Sequence, residues 1–435
     1  MSEGQPPVVV IGAGPVGLAA AAHLLERRLE PLVLERAGSI GANVADWAHV
    51  RLFSPWSFNV DEAGRRLLDA GGWVEPEPEV HPTGGELIEA YLRPLAATPQ
   101  LRERIRLGAR VVSVSRLGFD KMKTDGRDRA PFQVVAETAE GEERILARAV
   151  IDASGTYATP NPLGSGGVPA AGERPLRGRV TYGIPDVLGE QRSRFAGRRV
   201  LVVGSGHSAF NALRDLVELQ HDAPDTRVVW AVRRPELADV FGGGENDPLA
   251  ERGRLGAALW ELVERGALEV VTGFATEWLH EADGGIVARD GGREIGPVDE
   301  LIAVTGYRPD LELVSELRLG LDSAVESPSA LAPLIDPNIH DCGSVPPHGE
   351  RELAHPEPGF YMVGMKSYGR APTFLLRTGY EQVRSVAAAL AGDQEAADRV
   401  ELVLPETGVC TLDSQPAASS CVALGPRPAA VPAAA

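Results

Sequence analysis

Residues 7–11 are a short β-branched run, followed at once by glycines at 12, 14 and 17 and by an Ala/Leu-rich stretch over 16–28. An unbroken apolar run closed by turn residues predicts a strand buried on both faces, and the stretch after it predicts a helix. A second apolar strand at 31–35 completes one strand–helix–strand unit. Residues 71–85, GGWVEPEPEVHPTGG, read as a Pro/Gly loop. Residues 86–97 then show helical spacing of Leu87, Ile88, Tyr91, Leu92 and Leu95. Strands are expected at 109–114, 132–137 and 145–153, with the polar Gly141-Glu142-Glu143 turning the last two into a hairpin.

A second unit starts near residue 197. It has a buried-strand run at 199–203, the turn Gly204-Ser205-Gly206-His207-Ser208-Ala209, a helical stretch to Leu219 and a strand at 227–232. The Gly/Pro-rich residues 161–179 read as the linker into it, and 298–305 as the strand leading back out. Residues 360–363 read as a further strand and 373–390 as a helix, whereas the Ala/Pro-rich 422–435 lacks the large apolar side chains needed to pack. No repeat is visible beyond the two nucleotide-binding halves. The pattern predicts an α/β fold of two Rossmann-like dinucleotide-binding domains, one inserted in the other. The boundaries are 1–160 and 297–395 for the outer domain, 161–296 for the inserted one and 396–435 for a flexible tail.

Composition narrows the function classes. A chain of 435 residues with 43% apolar and 24% charged residues is globular and large enough for two or three domains. Its net charge of −18 opposes a nonspecific grip on nucleic-acid backbones or anionic lipid, so any phosphate must be bound locally. Neither a nucleic-acid nor a membrane partner is expected. Three cysteines, Cys342, Cys410 and Cys421, are too few and odd in number for a disulfide framework, and fit a cytoplasmic protein. The apolar stretch over 8–25 is broken by glycines and prolines and is better explained by a nucleotide turn than by a membrane span.

In Gly12-Ala13-Gly14-Pro15-Val16-Gly17 the first glycine permits a tight turn, the second a close approach to a pyrophosphate, and the third packing of helix on strand. Glu35, 18 residues after Gly17, ends the next strand where a carboxylate accepts from ribose hydroxyls and repels a 2′-phosphate. The second turn reads Gly204, Gly206 and Ala209, with Ser208 beside the expected phosphate, and its following strand ends in Arg233-Arg234. Two guanidiniums there suit the 2′-phosphate of NADPH. The contrast assigns FAD to the outer domain and NADPH to the inserted one.

The order of these parts resembles the flavin-containing monooxygenase-like group of two-dinucleotide-binding flavoproteins, over roughly residues 6–395. The shared parts include two Thr/Ser-Gly crossings, at Asp152-Ala153-Ser154-Gly155 and at Val304-Thr305-Gly306-Tyr307-Arg308-Pro309-Asp310. The resemblance implies FAD contacts from Trp47, Arg51 and Leu52 near the isoalloxazine ring, from Gly364 in the last FAD-side strand, and from Arg36, Val112 and Gly155. The family's FxGxxxHxxxF/Y/W fingerprint has a degraded counterpart over 176–186, with Leu176 for Phe, Tyr182 for His and Asp186 for the last aromatic. The acid common after the last FAD-side strand is absent.

Further stretches, at 48–56, 366–374 and 404–410, are similar to flavoproteins accompanying actinobacterial arsenic-resistance genes. The implied activity is oxidation of a small soft nucleophile, a sulfur, nitrogen or arsenic centre, by O2 through a peroxyflavin. No side-chain nucleophile is required, and Arg51, Asn59, Lys366 and Arg370 are the candidates for holding flavin or substrate. Two alternatives stay open: a flavin-linked thiol/disulfide reductase using Cys410 and Cys421, and a non-catalytic nucleotide or metalloid sensor using the three thiols. No CxxC is present, and residues 336–342 match no zinc spacing.

Overall fold

Each nucleotide-binding unit grows into a five-stranded parallel sheet in this computed structural model, which describes residues 5–402 apart from 238–239, 243–246, 248, 340–344 and 373. The first sheet has the order Phe360–Met362, Ala149–Asp152, Val8–Ile11, Pro31–Leu34, Ile105–Arg106. The second has the order Val180–Tyr182, Glu300–Ala303, Arg199–Val203, Arg227–Ala231, Glu269–Val271. The two orders correspond strand for strand, with the glycine-turn strand at the centre of each. Each half also carries a three-stranded antiparallel sheet between its fifth strand and the strand that crosses out. These are Arg110–Arg116, Phe132–Thr138 and Gly141–Ala147 in the first half, and Trp278–Ala282, Gly285–Asp290 and Arg293–Val298 in the second. The chain is thus a structural duplication with one copy inserted in the other.

Burial explains why the parallel strands read as unbroken apolar runs. Side chains alternate across a strand, so a sheet covered on both faces must be apolar at every position. Val8 and Val10 join the core beneath the helix Pro15–Glu26, while Val9 and Ile11 join the core shared with the antiparallel sheet. The second half repeats this. Val200 and Val202 pack under the helices His207–Asp222 and Ala250–Glu264, and Leu201 and Val203 face the other sheet.

Several elements differ from the sequence reading. The run 145–153 divides at Arg148: Gly141–Ala147 pairs back on Phe132–Thr138, whereas Ala149–Asp152 joins the parallel sheet beside Val8–Ile11. The tripeptide Gly141-Glu142-Glu143 therefore lies in a strand, and the hairpin turns at 139–140. The three strands between 278 and 298 were not read, because they are short and half-exposed. Residues 298–305 resolve into Glu300–Ala303, a strand inside the second sheet. The helix read at 86–97 spans Gly84–Leu87, a π-helical Ile88–Leu92 and Arg93–Ala96. Pro94 has no N–H to offer the carbonyl four residues back, and Trp73 Nε1 donates to that Ala90 oxygen at 2.9 Å. No helix among the described residues is long and apolar enough to cross a membrane.

A buried ion triad ties the first antiparallel sheet to the loop before Phe360. Glu357, 1% exposed, accepts from Arg116 Nε at 2.7 Å, from Arg127 at 2.6 Å and from the Arg318 N–H at 3.0 Å. Burial disfavours its charge, but the Arg318 N–H and the two guanidiniums outweigh this and hold its carboxyl below the ordinary value. A carboxyl with a lowered folded value stabilises the fold above its unfolded value, and that contribution is lost as pH falls through the folded one. Glu357→Gln is expected to cost about 3 kcal/mol at neutral pH, by leaving buried guanidiniums uncompensated. In urea unfolding the gap between variant and parent should close as pH falls below the ordinary glutamate range and through the lowered folded value.

Candidate functional site: two glycine turns and the crossings between them

Each first glycine is dictated by backbone contact. Gly12 has φ +99°, and a Cβ there would lie 2.9 Å from the Ala153 carbonyl oxygen. Gly204 has φ +137°, and a Cβ would lie 2.3 Å from the Val304 oxygen. In both halves the turn is therefore pressed against the end of the neighbouring crossing strand. Gly17 brings its helix against the Gly12 carbonyl, and Ala209, the equivalent position, is fully buried. Gly14 and Gly206 are different: a Cβ at either would meet nothing within 4 Å. They are the N-caps of the helices Pro15–Glu26 and His207–Asp222, neither of which has a side-chain cap. Open space over backbone N–H groups at a helix start is the cradle a pyrophosphate needs.

Glu35 is 7% exposed and turns back beneath the first turn, accepting from the Ala13 N–H at 2.8 Å and the Ala37 N–H at 2.9 Å. A carboxylate has about four acceptor positions, so two remain for ribose hydroxyls. Arg36 is exposed and donates to Asn43 Oδ1 at 2.9 Å, and Asn43 Nδ2 reaches the Ser154 carbonyl at 3.3 Å. Val112 sits at the bulge where Arg110–Arg116 pairs with Phe132–Thr138. Gly155 has φ +69°, and Gly364, with φ +65°, packs on Val16 and donates its N–H to Gln382 Oε1 at 2.7 Å. Leu52 is half-buried against the first core.

At the second turn, Ser208 is half-buried, and Arg233 and Arg234 are exposed at the end of Arg227–Ala231. Arg233 Nη1 donates to the Ser165 carbonyl at 3.0 Å. The His207 ring lies edge-on to Phe53 and Phe210, at 5.3 and 5.5 Å between centroids. Burial, with Arg252 nearby and against the pull of Asp247, pushes its pKa down to about 4, so the ring is neutral near pH 7.

The four candidates for holding flavin or substrate are engaged within the protein. Arg51 is exposed, donates to the His81 carbonyl and lies 3.9 Å from Glu86. Asn59 is fully buried, with both amide hydrogens given to the Ser54 and Pro55 carbonyls and its oxygen accepting from Ser54 Oγ. Lys366 is fully buried 2.6 Å from Asp152 and 3.1 Å from Ser154 Oγ, at the first crossing. Arg370 pairs with Glu326 at 2.8 Å. The thiols Cys342, Cys410 and Cys421 lie outside the described residues, and no metal-holding cluster occurs among the described ones.

The structure adds groups that the sequence reading missed. Tyr157 and Tyr307, one after each crossing glycine, stack at 4.4 Å, and Trp47 lies 6.4 Å from Tyr157. Burial foremost pushes both tyrosine pKa values up, which keeps their hydroxyls protonated. A Tyr within two residues of each crossing glycine, in Gly155-Thr156-Tyr157 and in Gly306-Tyr307, was a readable signal. The crossings are also zipped together: the Asn161 N–H donates to Gly306 O at 2.9 Å, Thr305 Oγ1 to Asn161 O at 2.7 Å and the Arg308 N–H to Thr159 O at 3.0 Å. Segment 47–53 bridges the halves, with Trp47 near the crossings and Phe53 on His207.

This arrangement matches known proteins. The family model described as pyridine nucleotide-disulphide oxidoreductase matches residues 9–330. The chain belongs to this family. A rice indole-3-pyruvate monooxygenase, YUCCA1, is 31% identical over 240 residues, covering 54% of this chain and 51% of the relative. The chain thus spans about half the length of that curated relative. Two solved structures share the fold. A bacillithiol disulfide reductase from Bacillus cereus has a TM-score of 0.65 at 20% identity, covering 89% of this chain and 99% of the other. The cadaverine monooxygenase of desferrioxamine biosynthesis from Erwinia amylovora, solved bound to FAD, has a TM-score of 0.60 at 14% identity, covering 94% and 100%. These comparisons do not support the expected association with arsenic resistance.

For this pyridine nucleotide-disulphide oxidoreductase family member, the two glycine classes should separate on mutation. Gly14→Ala is expected to keep the melting temperature of the flavin-free protein while lowering its flavin content after reconstitution. Gly12→Ala should destabilise the flavin-free protein itself, by roughly 1–3 kcal/mol or more.

Proposed function

We propose that this chain is an FAD- and NADPH-dependent oxidoreductase that acts as a monooxygenase on a small soft nucleophile. The observation carrying the reading is the pair of open glycine cradles with opposite charges at the equivalent strand ends, Glu35 in one half and Arg233-Arg234 in the other. Bound FAD and NADPH would supply hydride transfer between nicotinamide and flavin and delivery of electrons to O2. The chain's residues bind, orient and shield. Gly14 and the start of Pro15–Glu26 receive the FAD pyrophosphate, and Glu35 accepts from the adenosine ribose. Gly206 and the start of His207–Asp222 receive the second pyrophosphate, and the two arginines meet the 2′-phosphate. Trp47, Tyr157 and Tyr307 form an aromatic wall between the halves that excludes water, and the Phe53–His207 contact keeps the second turn against the first half. The relative and the FAD-bound neighbour named as monooxygenases support oxygenation, as does the lack of a CxxC in the sequence.

Arg233→Ala with Arg234→Ala is expected to raise KM for NADPH by tenfold or more. KM for NADH should change by less than about twofold, and equal effects on both would remove the assignment. Oxygenation is read by stopped-flow absorbance of protein reduced anaerobically with NADPH and mixed with oxygenated buffer. A transient spectrum distinct from both reduced and oxidised flavin is expected. Direct reoxidation would favour the disulfide reductase, and no reduction by NADPH would favour a sensor.

A further inference from the structure

We propose that the loop of residues 163–170, pinned by Glu173, is a specificity element that holds Arg233 in position for the 2′-phosphate of NADPH. The inference rests on the NADPH reading above and assigns a positioning role to residues outside both glycine turns. The loop reads Leu163-Gly164-Ser165-Gly166-Gly167-Val168-Pro169-Ala170, and three glycines in eight residues make it costly to order without an anchor.

Glu173 supplies the anchor. It is 2% exposed, and its two oxygens accept from the Leu163 N–H at 3.0 and 3.1 Å, the Ala170 N–H at 2.7 Å and the Tyr182 hydroxyl at 2.6 Å. One side chain thereby pinches both ends of the loop. Burial, together with the bond to Glu173, pushes the Tyr182 pKa up and keeps its hydroxyl a donor.

The loop's middle reaches the end of the strand Arg227–Ala231. Ser165 O accepts from Arg233 Nη1 at 3.0 Å, Gly167 O accepts from Arg308 Nη2 at 3.2 Å, and the Ser165 N–H donates to Thr276 O at 3.1 Å. A carbonyl orients a guanidinium without neutralising it. Among the described residues this is the bond that Arg233 makes through one of its five N–H donors, and a charge-assisted bond to phosphate needs the guanidinium geometry held in advance. Among the described residues many arginines pair with carboxylates, as Arg116 does with Glu357 and Arg370 with Glu326; Arg233 is held by a neutral acceptor on a loop fixed from behind. Tyr182 stands where the family's fingerprint has histidine, so the departure from the fingerprint coincides with the bond that fixes this loop.

The test is calorimetric titration of the FAD-loaded protein with 2′,5′-ADP and with 5′-AMP, so that no turnover is needed. Glu173→Gln is expected to weaken 2′,5′-ADP binding about tenfold and 5′-AMP binding by less than about twofold. In an Arg233→Ala background the same substitution should have no further effect, because the residue it positions is gone. Equal weakening of both ligands, or an undiminished effect in the Arg233→Ala background, would overturn the proposal. If Glu173→Gln does not fold, Tyr182→Phe, which removes one donor and leaves the loop N–H bonds, is read in the same cycle with a loss of about threefold expected. An unsubstituted protein without preference for 2′,5′-ADP would sink the NADPH reading and this inference together. A preference lost in Arg233→Ala but uncoupled from residues 173 and 182 would sink only the inference.

Discussion

The contact of each first turn glycine with a crossing-strand carbonyl constrains everything else in the molecule. Gly12 lies against Ala153 and Gly204 against Val304, each closer than any side chain allows. The crossing strand leaves its sheet directly beside the strand that opens the glycine turn, which is the switch point where α/β sheets bind nucleotides. The turn and the chain crossing are therefore one structural unit in each half. Whatever moves a crossing must move a dinucleotide cradle, and the two crossings are hydrogen-bonded to each other through Asn161, Thr305 and Arg308.

Around that constraint the two halves differ in charge and in what lies behind the turn. In the first, buried polar groups crowd the crossing: Asp152 binds Lys366, and Gln382 links Gly364 to Ser367 and to His348. Burial keeps the His348 ring low in pKa and hence neutral near pH 7, so this network is held by hydrogen bonds. In the second, the corresponding space is organised by Glu173 and the loop it pins. Equivalent strand orders thus carry unlike supports, one around a buried ion pair and one around an anchored glycine loop.

Much of this was legible along the chain. The parallel strands were plain because burial on both faces forces an apolar residue at every position, as at 8–11 and 199–203. Gly12, Gly14 and Gly17 were legible because their spacing carries the geometry of the turn, and Glu35 because its distance from that turn is set by one helix and one strand. The antiparallel strands between 278 and 298 were not, since half-exposed strands such as Trp278–Ala282 show no clean alternation. The repeat was legible only in the two strand–helix–strand units; its extension to whole five-stranded sheets with matching antiparallel sheets resides in strand order, which leaves little trace in residue identity.

The sequence by itself determined the two nucleotide units, their order and the charge at each strand end, because these depend on residues within one strand–helix–strand unit and their spacing is local. The tertiary structure alone decided that Asn59 is saturated by its own loop, that Lys366 neutralises Asp152 and that Tyr157 stacks on Tyr307. It also decided that one buried glutamate, Glu173, pins both ends of a loop whose middle reaches Arg233. Those partners are 5, 214, 150 and, for Arg233 and Ser165, 68 residues apart. Except for Asn59 and Glu173, whose bonds are local but directionless in sequence, no periodicity spans such separations, and only the folded backbone brings the groups within hydrogen-bond reach.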